Sequence, residues 1–182
     1  MRFEETTMPQ VYLIHLEKRE DERGFFAREW CKKEFAAKGI TSDVVQVNIS
    51  YSKNAGTMRG LHYQIEPHGE AKLVRCIRGS IFDVIIDLRP GSPTYNRWHS
   101  FTLTDDLTGL YVPDGFAHGF LTLEDDTLVT YLTSNYYSPE SERGIRWDDP
   151  VFNIAWPKEI TVISAKDKSW PDYPKHGSVN HQ

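Results

Sequence analysis

Two residues set close together carry the most chemistry in this chain: His62, within Arg59-Gly60-Leu61-His62-Tyr63-Gln64, and Lys72, within Glu70-Ala71-Lys72-Leu73-Val74. An imidazole can take a proton near neutral pH, and an ammonium can stabilise an oxygen on which negative charge develops. On neighbouring strands the two would suit removal of a proton next to a carbonyl, through an enolate. Each also has a plainer reading. A lone strand histidine is more often structural than catalytic, and a lysine at the start of an apolar strand is commonly solvated. Alternation along a strand sends Leu61 and Tyr63 to one face and leaves His62 on the other with Gly60 and Gln64, an open glycine and a polar amide.

Further candidates lie downstream. Pro113-Asp114-Gly115 reads as a tight turn that launches a strand, and His118 falls just inside that strand. Tyr131, in Leu128-Val129-Thr130-Tyr131-Leu132-Thr133, reads first as core packing with its hydroxyl at the rim. Asp167, in Ser164-Ala165-Lys166-Asp167-Lys168, reads as a loop acid unless the fold carries it to a histidine. Cys31 and Cys76 have neither metal-ligand nor redox spacing and read as idle thiols.

The elements that must position these residues are short strands. Runs with strand character are Val11 to Ile14, Gly24 to Ala27, Val44 to Ile49, Lys72 to Ile77 and Ser80 to Asp87. Trp98 to Leu103, Gly109 to Val112, Ala117 to Leu123 and Thr127 to Thr133 continue the series, with Arg78-Gly79 and Pro90-Gly91 as turns. One helix is predicted over Lys32 to Lys38, ending at Gly39. So many strands at close spacing predict an all-β sandwich or barrel, best described as a jelly roll with a few short helices.

The 182 residues suit one domain spanning 1–182, with a loose polar tail from about residue 171. Acidic residues outnumber basic ones, 26 to 21, which argues against nucleic acid as a partner, although a few placed arginines can still hold a small phosphorylated ligand. No apolar run approaches the roughly 20 residues of a membrane span, and no signal-peptide core follows Met1-Arg2-Phe3-Glu4. A cytoplasmic protein is expected.

Taken in order, these segments resemble the nucleotide-sugar epimerases typified by dTDP-4-dehydrorhamnose 3,5-epimerase. The resemblance runs from Asp21-Glu22-Arg23-Gly24-Phe25-Phe26 through Gln46-Val47-Asn48, Arg59 to Gln64, Ala71-Lys72 and Gly91-Ser92-Pro93-Thr94. It continues through Gly115 to Phe120, Tyr136-Tyr137-Ser138-Pro139-Glu140 and Trp147-Asp148-Asp149-Pro150 to Ser164-Ala165-Lys166-Asp167. It implies a cupin-like jelly roll, usually a homodimer, acting without metal or redox cofactor on a nucleoside-diphosphate 4-keto-6-deoxy sugar. The 4-keto group acidifies the hydrogens at C3 and C5, so that one or both centres can be inverted.

By this resemblance His62 is the general base, Asp167 the carboxylate that orients it, Lys72 the enolate stabiliser and Tyr131 the proton donor on the opposite face. Arg59 and His118 match substrate contacts, and Gln46 and Asn48 line the same pocket. Arg23, Phe26 and Tyr137 match a nucleotide site, with an arginine for charge and two rings to stack on the base. Part of that site can come from a neighbouring subunit.

Two positions depart from the pattern. Many dTDP-specific members carry an aromatic and then a glutamate where this chain has Ala27 and Arg28, and an arginine suits an acceptor-bearing base such as cytosine better than thymine. Asn135 stands where an aspartate often precedes the paired tyrosines. Two other classes compete. A metal-dependent cupin would use His62, His68, Glu70 and His118, but the usual pair of histidines one residue apart is missing and Lys72 would crowd the ion. A sugar-binding cupin without activity would have no need of His62, Lys72, Tyr131 and Asp167 together.

Overall fold

The computed structural model describes residues 1–41 and 43–174. In chain order the elements are β1 (Arg2–Glu5), β2 (Tyr12–His15), β3 (Arg19–Asp21), β4 (Gly24–Phe26), α1 (Lys32–Ala36), β5 (Gln46–Ser52), β6 (Thr57–Gln64) and β7 (Lys72–Arg78). There follow β8 (Ser80–Asp87), β9 (Trp98–Thr104), β10 (Thr108–Val112), β11 (Phe116–Thr122), β12 (Thr127–Thr133), β13 (Glu142–Gly144), β14 (Val162–Ile163) and α2 (Ala165–Lys168).

The strands form two sheets. The first has the order β1-β2-β10-β7-β12-β5; the second has β13-β6-β11-β8-β9, with β14 added in parallel to β6. Strands β3 and β4 make a separate hairpin. The exchange of non-consecutive strands between two antiparallel sheets is the jelly-roll pattern expected from the sequence.

Alternation explains how the layers close. On the first sheet Val74, Cys76, Leu110 and Val129 point inward, and on the second Ile81, Ile85, Phe116 and Phe120 meet them. Each fully buried aliphatic side chain of this kind contributes about 2 kcal/mol. The outer face of the second sheet, with Met58, Leu61, Val84 and Leu121, is covered by the segment after β13 through Ile145, Phe152 and Ile154. Part of the first sheet's outer face is covered by α1, whose Phe35 packs with Ile14, Leu73, Tyr111 and Leu132.

Helix α1 stops two residues earlier than the sequence suggests. The Ile40 N–H bonds to the Phe35 carbonyl at 3.1 Å across Gly39, which sits at φ +77°, so the chain closes in a glycine-dependent C-cap. The predicted strand runs are present, whereas β1, β3 and β13 carry too little hydrophobic signal to announce them, β1 reading Arg-Phe-Glu-Glu and β13 Glu-Arg-Gly, and β14 is only the two residues Val162–Ile163. Of the tail expected to be loose, residues 171–174 have no regular structure and 175–182 lie outside the described residues.

Strict alternation fails at one functional point. Strand β11 pairs with β6 through His118↔His62 but Phe120↔Arg59, so β6 carries one extra residue opposite Gly119. This bulge shifts the faces by one and brings both Arg59 and His62 to the inside. Two glycines permit it. A Cβ on Gly60, at φ +105°, would stand 2.6 Å from the Gly119 Cα, and one on Gly119 would stand 2.6 Å from the Arg59 carbonyl.

Candidate active site

The inner faces of the two sheets open into a cavity of about 570 Å³. His62, Lys72, His118, Tyr131 and Asp167 line it, as do Arg59, Gln46, Asn48 and Tyr137. The second sheet supplies His62 from β6 and His118 from β11; the first supplies Lys72 from β7, Tyr131 from β12, and Gln46 and Asn48 from β5. Histidine and tyrosine therefore enter the cavity from opposite layers.

His62 Nε2 lies 2.6 Å from Asp167 Oδ1. The carboxylate is 6% exposed and the imidazole 33%, so the acid is sealed while the ring faces the cavity. Asp167 is not a loop acid: it sits in the single turn of α2, where Ser164 caps the helix by accepting from the Asp167 N–H at 3.0 Å. Burial alone would raise the pKa of this carboxyl. The bond and charge of His62, with help from Ser164 and the Gly60 amide, outweigh burial and hold it below the usual carboxylate range. A proton on Nε2, donated to Asp167, leaves Nδ1 as the basic nitrogen.

A second pair lies beside the first. His118, the cross-strand partner of His62, places Nε2 2.8 Å from Asp83 Oδ2. Asp83 is fully buried on β8, and burial pushes its carboxyl above the usual range against the pull of His118 and Lys72. Its other oxygen, Oδ1, has no hydrogen-bond partner among the described residues. Lys72 Nζ is 2.6 Å from Glu70 Oε1, with both side chains nearly sealed at 11% and 13% exposure. One contact fixes the ammonium while its remaining donors stay available to the cavity. Burial, and after it the Glu70 carboxylate, pushes the Tyr131 phenol above its usual value, with Arg59 opposing.

At the rim, Tyr137 donates to Glu142 Oε2 at 2.7 Å, and Lys166 pairs with the same carboxylate. Gln64, buried beneath, accepts from the Ser138 N–H at 2.6 Å and donates to the Tyr136 and His68 carbonyls, which ties the tyrosine loop to β6. Arg59 is aimed by bonds to Ser52 Oγ and the Tyr51 carbonyl. Asn135 caps the same loop, accepting from the Tyr136 N–H and donating to the Gly69 carbonyl.

Three predicted residues lie elsewhere. Arg23 is on the β3–β4 hairpin paired with Asp21, and Phe26 is 60% exposed. Phe26 and Arg28 border a smaller cleft with Glu17, Arg19 and Glu34, where Arg28 Nη1 is 3.6 Å from Glu34 Oε1. Three of the four metal-site donors weighed from the sequence are committed to other partners: His62 to Asp167, His118 to Asp83 and Glu70 to Lys72. Among the described residues no three histidine, cysteine or acidic side chains converge as ligands.

Sequence reasoning missed Asp83, Glu142 and Lys166, and considered Glu70 only as a metal ligand. Asp83 did leave a trace, as an acid within the apolar run Ile81-Phe82-Asp83-Val84-Ile85-Ile86. A charge there is buried and partnered or it breaks the strand. Glu142 left none, because its partners Tyr137 and Lys166 meet it only through the fold.

A cupin-like jelly roll that turns a histidine–carboxylate pair, a lysine and an opposed tyrosine into one cavity has the residue types that proton transfer at carbon requires. A sequence model for dTDP-4-dehydrorhamnose 3,5-epimerase matches residues 5–175. The chain is 46% identical over 173 residues to the dTDP-4-dehydrorhamnose 3,5-epimerase of Sinorhizobium fredii, covering 94% of this chain and 89% of the relative. The crystal structure of the Bacillus anthracis epimerase with TDP and PPi bound superposes with a TM-score of 0.90 at 40% identity, covering 94% and 99% of the two chains. The Legionella pneumophila enzyme in complex with dTDP-4-keto-L-rhamnose gives 0.86 at 35% identity, covering 96% and 99%. The chain belongs to the dTDP-4-dehydrorhamnose 3,5-epimerase family.

Proposed function

We propose that this protein epimerises a nucleoside-diphosphate 4-keto-6-deoxy sugar, converting dTDP-4-dehydro-6-deoxy-D-glucose to dTDP-4-dehydro-L-rhamnose by inversion at C3 and C5. The observation that carries this reading is the His62–Asp167 pair at 2.6 Å in a cavity whose opposite wall holds Lys72 and Tyr131. Family membership and the ligands of the relatives support the choice of substrate.

In this reading His62 Nδ1 removes the proton that the 4-keto group has acidified, while the Nε2–H stays on Asp167 and the carboxylate stabilises the imidazolium. Lys72 meets the oxygen that becomes the enolate. Tyr131 returns a proton from the other layer, which inverts the centre. Its raised phenol keeps the proton at neutral pH, as a donor must. Arg59, His118, Gln46 and Asn48 position the sugar and diphosphate, and Tyr137 stacks at the mouth.

We place the protein in the cytoplasm as a single-domain homodimer. The outer face of β5 leaves Val47, Ile49 and Tyr51 exposed at 67%, 68% and 49%, an apolar row of the kind that a second copy covers. Beside it Arg75 is 3% exposed, with Nε and Nη2 lacking acceptors among the described residues. Arg23, Phe26 and Arg28 would then serve the neighbouring copy's cavity as its nucleotide site. The free thiols Cys31 and Cys76 suit a reducing compartment.

Proton NMR of the product formed from dTDP-4-keto-6-deoxyglucose tests substrate and stereochemistry together: the rhamno product supports the reading, and unchanged substrate overturns it. Thermal shifts decide the base. A larger shift with dTDP than with CDP is expected, and the reverse order would make Arg28 the reader of a cytosine.

A further inference from the structure

Helix α2, which carries Asp167, is one turn of four residues and has little of its own to hold it in place. Two residues beyond its end, Trp170 folds back against β13. A Cβ built on Gly144 would stand 2.2 Å from Cε2 and Nε1 of that indole, so the ring occupies the space where any other residue at 144 would put its side chain. Gly144 is the cross-strand partner of His62. The indole meets the imidazole edge-on, with ring centroids 6.4 Å apart and planes at 65°. Lys166, from the same turn as Asp167, places its ammonium 6.0 Å from the indole centroid. The indole N–H is buried with no acceptor among the described residues, so the ring is held by packing and not by a hydrogen bond.

We propose that Trp170 is a positioning residue for the His62–Asp167 pair: seated in the recess over Gly144, it pins α2 to the second sheet and so holds the Asp167 carboxylate on the imidazole. The inference rests on the reading of His62 and Asp167 as the catalytic pair. Its logic is steric. Without the indole, α2 keeps its Lys166–Glu142 ion pair to β13 but loses the packing that seats it there, and a displacement of about 1 Å at a catalytic group can cost about a hundredfold in rate. Because the N–H is unused, a phenyl ring should serve nearly as well as an indole. A methyl group on Gly144 should evict the indole and reproduce its loss with Trp170 still present.

The test compares Trp170→Ala, Trp170→Phe and Gly144→Ala with the parent enzyme, following steady-state epimerisation and the downfield imidazole N–H resonance of the His62–Asp167 hydrogen bond. The expected result is a fall in kcat of about ten- to a hundredfold for Trp170→Ala and Gly144→Ala with unchanged KM, and loss of that resonance. Trp170→Phe should retain both rate and resonance. An unchanged kcat in Trp170→Ala overturns the proposal, as does a phenylalanine variant as poor as the alanine one or a parallel rise in KM. Should Trp170→Ala not fold, Gly144→Ala carries the same decision. His62→Asn separates the two claims: turnover by that variant at the parent rate defeats the catalytic reading itself, whatever the Trp170 variants do.

Discussion

Two histidine–aspartate pairs, their histidines on adjacent strands, border the cavity, and they are built in opposite ways. His62 meets an acid that arrives from a one-turn helix 105 residues away, and its ring is a third exposed. His118 meets an acid fixed in the middle of a central strand, and both members are sealed. Asp167 is held below the usual carboxylate range by its partners, whereas burial raises Asp83 above it. The same two residue types are thus tuned to different work. An open imidazole backed by a firm carboxylate can take and release protons. A sealed imidazole backed by a reluctant one can do little more than present its free nitrogen in a fixed direction.

This contrast can be broken by substitution. Replacement of His62 by Asn should have the largest effect, a loss in kcat of about a thousandfold or more with the fold intact. Asp167→Asn should follow, at about a hundredfold in kcat with little change in KM, because the base remains but its tautomer and charge lose their support. Asp83→Asn should act on binding, with KM raised about tenfold and kcat less affected, since His118 would lose its orientation and not its proton chemistry. Equal kinetic signatures for Asp83→Asn and Asp167→Asn would erase the distinction between the pairs.

The smallest effect concerns stability. Asp87 lies four residues from Asp83 on the same strand face. Burial would raise it too, but hydrogen bonds from Arg89, Ser92 and Thr94 outweigh burial and bring its carboxyl from 3.8 to about 2. A depressed folded value stabilises the protein above the unfolded value. Asp87→Asn should therefore cost about 2 kcal/mol at pH 7 in urea unfolding, and the difference from the parent should fade as pH drops from about 4 towards 2. Asp83 has the opposite sign: its raised value means that the ionised form opposes folding above the unfolded value, so Asp83→Asn should not lower stability at pH 7.

What could be read from the sequence follows from the range of the interactions. The strands that bury alternating aliphatic rows were visible because period-two patterning is local. His62, Lys72, His118 and Tyr131 could be placed on strands for the same reason. That Arg59 shares a face with His62 could not be read from alternation, since the bulge depends on Gly60 meeting Gly119 across two strands. Asp167 looked like a loop acid because one turn of helix has no periodicity, and only the resemblance to a family supplied its partner. Asp83 was overlooked, and Glu70 weighed only as a metal ligand, because a buried charge is recognised by what surrounds it, and the partners His118 and Lys72 lie on other strands.

The central claim is that His62 and Tyr131 divide the two faces of one sugar between them. Solvent deuterium exchange into dTDP-4-keto-6-deoxyglucose, followed by NMR at C3 and C5, tests it most directly when run on the parent, His62→Asn and Tyr131→Phe. The account predicts label and inversion with the parent, neither with His62→Asn, and label that outruns inversion with Tyr131→Phe. Label entering at the parent rate in His62→Asn, or equal and mild losses in both variants, would contradict it.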